Sequence, residues 1–111
     1  MRKEKIEQHY RKAKAEYEYY RDAKILCEEC QTRELGNYPE CVFVAYMKIG
    51  DVNETANFLN ELGFRRENGN KFLGVNVSEI IQSATIDDER LMRMARSLNQ
   101  GGREFMNKLY N

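Results

Sequence analysis

Three cysteines are the residues of this chain best able to do chemistry: Cys27-Glu-Glu-Cys30 and, one segment later, Cys41. Two thiolates three positions apart on a helix can share one zinc ion, and a third could close in from the next element. The fourth ligand is missing. The only imidazole is His9, on the same expected helix and about 27 Å from Cys27 at 1.5 Å per residue. Buried or spectator thiols are therefore the better account, and no metal or cofactor is expected. His9 has no Cys or Ser neighbour in any pattern the sequence displays, and there is no Gly-rich phosphate loop, so nucleophilic and phosphoryl chemistry lack their parts. Asp87-Asp88 reads as the negative first turn of a helix. No enzyme is expected, and two recognition features remain: tyrosines at Tyr10, Tyr17, Tyr19 and Tyr20, and cations at Arg65, Arg66 and Lys71.

The tyrosines need a long helix to position them. Residues 2 to 34 contain no Gly or Pro and are rich in Lys, Glu, Ala, Arg and Tyr, which predicts one continuous helix. Ile6, Tyr10, Ala13, Tyr17, Tyr20, Lys24 and Cys27 follow each other at spacings of 4 and 3, a heptad seam. With Lys24 in it and mostly tyrosine for its apolar groups, the seam is no strong zipper alone. It should pack on the body of the domain or on a second copy of itself. Tyr10, Tyr17 and Tyr20 are thus the candidate partner-binding residues, since a ring with a polar tip suits a protein interface.

Leu35-Gly36-Asn37-Tyr38-Pro39 breaks the chain, with Pro39 expected at the first position of the next helix. The reading divides at this point into a long N-terminal helix, 1–36, and a second unit, 37–111. Residues 39–49 are apolar nearly all round and predict a buried central helix. Gly50 stops it. Asp51 with Glu54 makes a capping box for a helix that carries Ala56, Leu59 and Leu62 and ends at Gly63. Asn68-Gly69 favours a tight turn that could join two short strands as a wing. Asn76 with Glu79 repeats the capping-box spacing ahead of Val77, Ile80 and Ile81. Thr85 with Asp88 opens an amphipathic helix over 86–99 on Leu91, Met94, Ala95 and Leu98. A last short helix would use Phe105, Met106, Leu109 and Tyr110.

The stretch Glu54-Thr-Ala-Asn-Phe-Leu-Asn-Glu-Leu-Gly-Phe, a basic-polar loop with Gly69, then Phe72, Val77 and Ile80-Ile81, resembles the helix-turn-helix segment in the recombinase domain of serine recombinases and in small phage and plasmid DNA-binding proteins. It spans about 30 of the 111 residues. The resemblance implies that the first helix braces the second, with Arg65, Arg66, Asn70 and Lys71 near phosphates of double-stranded DNA. Asn76, Ser78, Glu79 and Gln82 would face base edges. The catalytic domain of a recombinase is not part of the match, and Glu79 would repel phosphate.

The fold expected is mainly α: a long N-terminal helix, a trihelical helix-turn-helix-like core and C-terminal helices. Charge bears on the function. Basic and acidic side chains cancel, 18 against 18, and are distributed as +3 over residues 1–26, −5 over 27–62 and +2 over 63–111. A nucleic-acid binder normally carries a clear basic excess, which here only local patches could supply. No apolar run approaches a membrane span, and Met-Arg-Lys-Glu-Lys opens no signal segment. An odd number of cysteines without repeated spacing suits a reducing cytoplasm. Two functions follow as expectations. The first is a small DNA-binding regulator or accessory factor of a phage or mobile element. The second is an interaction module or inhibitor, encoded by a phage or mobile element, that binds a host or phage protein through the tyrosine-rich helix and an acidic surface; a homodimer through the N-terminal helix is a separate expectation. The location of the basic side chains separates them. If Arg65, Arg66, Lys71, Arg90, Arg93 and Arg96 share one face, DNA gains; if they pair with acids, the interaction module gains.

Overall fold

The computed structural model describes residues 3–102, all of whose regular elements are helical: α1 (Lys3–Thr32), α2 (Glu40–Ile49), α3 (Val52–Glu61), α4 (Gly74–Ser83) and α5 (Glu89–Ser97). A single π-type turn, Leu98–Gly102, follows α5. The last helix expected around Phe105 to Tyr110 lies outside the described residues.

Apolar composition decides the centre. In α2, Cys41 through Met47 are all buried, so the helix presents no polar face, and α1, α3, α4 and α5 pack round it. Gly50 ends it in the left-handed conformation at φ 82°, donating its N–H to Tyr46 O at 2.7 Å. Only a glycine adopts that conformation without strain. Pro39 sits one position earlier than expected, as the N-cap of α2 after a cis Tyr38–Pro39 peptide. Asp51 caps α3 as its spacing predicts: its Oδ2 accepts from Glu54 N at 2.9 Å.

α3 and α4 pack extensively on each other, and Gly74 lets them approach. A methyl on Gly74 would lie 1.9 Å from Asn53 Oδ1 and 3.3 Å from Asn53 Cα. Leu59, Phe72, Val77 and Ile81 from this pair complete the core with Leu91 and Ala95 of α5. No strand occurs among the described residues, so the small wing is replaced by turns. Arg66 N donates to Asn70 O at 2.9 Å, Gly69 N to Arg66 O at 2.8 Å, and the Asn68 side chain accepts from Asn70 N at 3.0 Å. Asn68 thus closes its own turn, leaving no run of residues long enough to pair as a ladder.

α4 opens two residues before the expected Asn76. Asn76 is the third residue of the helix, and its Oδ1 reaches back to accept from Leu73 N at 2.9 Å. α5 starts at Glu89, capped by Asp88, whose Oδ1 accepts from Leu91 N at 3.1 Å. That bond and Arg33 hold the Asp88 carboxyl below its ordinary pKa.

Candidate functional site

α1 has two apolar faces, and they point different ways. Over its second half, Ala23, Leu26 and Cys30 are buried against the domain, with Tyr19 on the same stripe donating to or accepting from Ser97 Oγ at 2.8 Å. Further along, Gln31 and Lys48 exchange bonds with each other's backbone carbonyls at 3.1 Å, tying α1 to α2. The heptad seam is a different stripe, roughly 140° away around the helix at 3.6 residues per turn. Its first members are left in solvent: Ile6 is 54% exposed, Tyr10 66% and Tyr17 67%. Residues 5–15 are exposed on every side. The molecule measures 59 × 24 × 21 Å, which fits a helix of roughly 45 Å whose N-terminal half stands out from a compact body. Tyr20 and Cys27, lower on the seam, are half-buried, and Lys24 is exposed. The expectation that the seam packs on the body therefore holds only at this lower end. Over the same span, a 4-3-4 series at Tyr19, Ala23, Leu26 and Cys30 carries most of the docking.

The residues assigned to DNA by resemblance separate into two groups. Arg65, Asn70 and Lys71 are exposed and Arg66 is half-buried, all on the connection between α3 and α4. The Arg65 guanidinium folds back on the end of α3, donating to Asn60 O at 3.1 Å and Phe64 O at 2.7 Å. Arg66 lines a shallow concavity with Tyr38, Glu67 and Glu79. The other group faces inward. Asn76 is buried and committed to the cap just described. Ser78 Oγ bonds Asn99 Oδ1 at 3.2 Å, and Gln82 Nε2 donates to the same atom at 2.6 Å and to Arg96 O at 3.3 Å. Gln82 Oε1 also accepts from Gln100 Nε2 at 2.5 Å. Of the expected base-reading positions, Ser78 and Gln82 thus hold α4 against the end of α5, Asn76 caps α4, and Glu79 alone faces solvent. What α4 shows to solvent is Val75, Glu79 and Ser83, with Leu73 beside them.

Arg33 and Arg96 are taken up within the fold, while Arg90 and Arg93 form ion pairs at the surface. Arg90 pairs with Glu29, Arg93 with Glu89 at 3.5 Å, and Arg33 bridges Glu40 and, at 2.8 Å, Asp88. Arg96 donates its Nε to Ile81 O at 2.8 Å and Nη2 to Ala84 O, closing the C-terminus of α4. A cation there also faces the negative end of the helix dipole. Among these residues the sequence reading missed Asn60, whose amide grips both backbone groups of Phe72: Nδ2 to Phe72 O at 2.9 Å and Phe72 N to Oδ1 at 2.8 Å. An asparagine late in a helix before a long loop is the only signal that pointed to it.

Among the described residues no three His, Cys, Asp or Glu side chains gather as a metal site. Cys30 and Cys41 are buried and Cys27 half-buried, all as free thiols. Burial raises all three thiol pKa values, and it pushes Cys41 from 9.0 to about 11. A thiol that ionises more readily unfolded than folded contributes stability that is complete below the unfolded value and disappears as pH rises through the folded one. The melting temperature should therefore be flat from pH 7 to about 8.5 and fall steadily from pH 9 toward 11. Cys41→Ser should flatten part of that fall; an unchanged slope would place its origin elsewhere.

Comparison with family models, with curated proteins and with solved structures finds no match to this chain.

Proposed function

We propose that this chain is a non-enzymatic protein-interaction module, in which the five-helix body is a mount and the projecting half of α1 is the working surface. The observation that supports this most is the solvent exposure of Ile6, Tyr10 and Tyr17 on one stripe of a helix whose opposite stripe already holds the body. Single exposed apolar side chains are ordinary, but three in heptad register on a protruding helix make a strip a partner can cover. The commitment of Arg33 to Glu40 and Asp88 and of Arg96 to the end of α4 supports the same reading, because it takes two cations out of reach of a phosphate backbone. No helix among the described residues is long and apolar enough to cross a membrane. A reducing cytoplasmic setting suits the free thiols.

A second reading, docking on duplex DNA, is favoured by one observation: Arg65, Asn70 and Lys71 stand exposed on a single loop. One experiment separates the two. A photoreactive phenylalanine placed at position 10 or 17 of the full chain, in cells that express it, should give adducts of defined mass. The same group at Gln8 or Ala15, on the far side of the helix, should not. Silence at 10 and 17 overturns the interaction reading, and capture of duplex DNA from position 71 would put the loop in its place.

A further inference from the structure

We infer that the partner of the projecting helix is a second copy of this chain, bound antiparallel, with Tyr10 of each copy packed on Ala13 of the other. This rests on the interaction reading above and names the occupant of that surface.

Register follows from side-chain size. In a two-helix seam, large and small groups must alternate across the interface for the layers to interdigitate. The exposed seam runs Ile6, Tyr10, Ala13, Tyr17. Reversing one copy so that Tyr10 meets Ala13 sets Ile6 against Tyr17, and the two-fold axis repeats both layers. Each tyrosine then lies on a smaller residue. A parallel pair would instead put Tyr10 on Tyr10 and leave a gap at Ala13 on Ala13.

Charge selects the same register. The positions flanking the seam are Glu7 and Lys14 on one side and His9 and Glu16 on the other, all exposed except the half-exposed Glu16. In antiparallel helices like-flanks face each other, and such pairs set orientation and partner choice. The Tyr10–Ala13 register brings Glu7 onto Lys14 and His9 onto Glu16, each twice. Sliding by one heptad, to put Ala13 on Tyr17, would bring Lys14 onto Lys14 and Glu16 onto Glu16. A parallel pair would bring Glu16 onto Arg21, an opposite-charge contact, so charge fixes the register among the antiparallel arrangements and the size of the seam residues fixes the direction.

The geometry of the body permits it. The stripe at Tyr19, Ala23, Leu26 and Cys30 faces away from the seam, so the two bodies sit at opposite ends of the paired helices. The strip is short compared with the ~1,200–2,000 Å² of a standard interface, so the dimer should form at micromolar rather than nanomolar concentration.

Sedimentation velocity of the full chain across micromolar concentrations tests this. Wild type should shift from monomer to dimer. Glu7→Lys and Lys14→Glu should each raise the dissociation constant about tenfold, since two opposite-charge pairs become two like-charge pairs. The double variant Glu7→Lys/Lys14→Glu should restore it to within about threefold of wild type. A wild-type protein that stays monomeric to high concentration overturns the inference, as does a double variant no better than the singles. The photoreactive residues at 10 and 17 tell the two proposals apart. Adducts between copies support both, adducts only to another protein overturn the self-association while keeping the interaction reading, and no adducts overturn both.

Discussion

Phe43→Ala should cost about 3–5 kcal/mol and leave the protein largely unfolded at 37 °C. Phe43 is, with Phe72, among the largest fully buried side chains of the described residues, and it lies in a helix with six other buried residues. A domain of this size has about 5–15 kcal/mol in all, so the loss removes a large share. Urea unfolding followed by far-ultraviolet circular dichroism gives the value directly, and Phe43→Leu, which keeps most of the volume, should lose less than half as much. A loss under about 1 kcal/mol for Phe43→Ala would mean that α2 is not the centre of the core.

Asn60→Ala should cost about 2–3 kcal/mol, an unusual amount for a residue that is neither apolar nor fully buried. The substitution removes two hydrogen bonds at once and strands both the N–H and the carbonyl of Phe72, whose ring is itself buried. Asn60→Asp should recover little, because it keeps the acceptor for Phe72 N but aims a carboxylate oxygen at Phe72 O. The direct readout is amide hydrogen exchange at Phe72, protected in wild type, fast in Asn60→Ala and intermediate in Asn60→Asp, which keeps the acceptor for that amide. Exchange that remained slow in Asn60→Ala would show that the loop is held by the Phe72 ring alone.

The helical architecture was legible in the sequence because its signals are local. Gly50 stops α2, Asp51 caps α3, and the run Cys41 to Met47 leaves no polar face, so each of these could be read from a few neighbouring residues. Where the reading failed, two local solutions had the same pattern. Asn76 with Glu79 fits a cap that opens a helix, but an asparagine at the third position reaching back to Leu73 N fits equally well, and the core places Leu73 and Gly74 for the second. Asn68-Gly69 can close a hairpin or a single turn, and the Asn68 side chain took the donor a ladder would have used. The Tyr10–Tyr17 seam was visible as a spacing, while the stripe that docks α1 was hidden by the same tyrosine-rich composition. Nor could periodicity say which of two heptad series meets the body, since that is set by the shape of α2 and α5. The arginines were harder still, because Glu29 and Arg90 are 61 residues apart and meet only once the chain is folded.

The two faces of α1 also make the angle of the arm a counted quantity. Seam and docking stripe lie on one unbroken helix, with no Gly or Pro from Lys3 to Thr32 to act as a swivel. Their relative direction is then set by the number of residues between Tyr17 and Tyr19, as the pitch of a screw is set by its thread. One residue added there would leave both faces chemically intact but swing the exposed strip by about 100° and advance it by about 1.5 Å. Two such insertions would carry it to the far side of the arm, whereas seven would return it almost to its starting direction about 10 Å farther out. Length variation in this segment is thus free only in steps of whole heptads, and any other step re-aims whatever the arm holds.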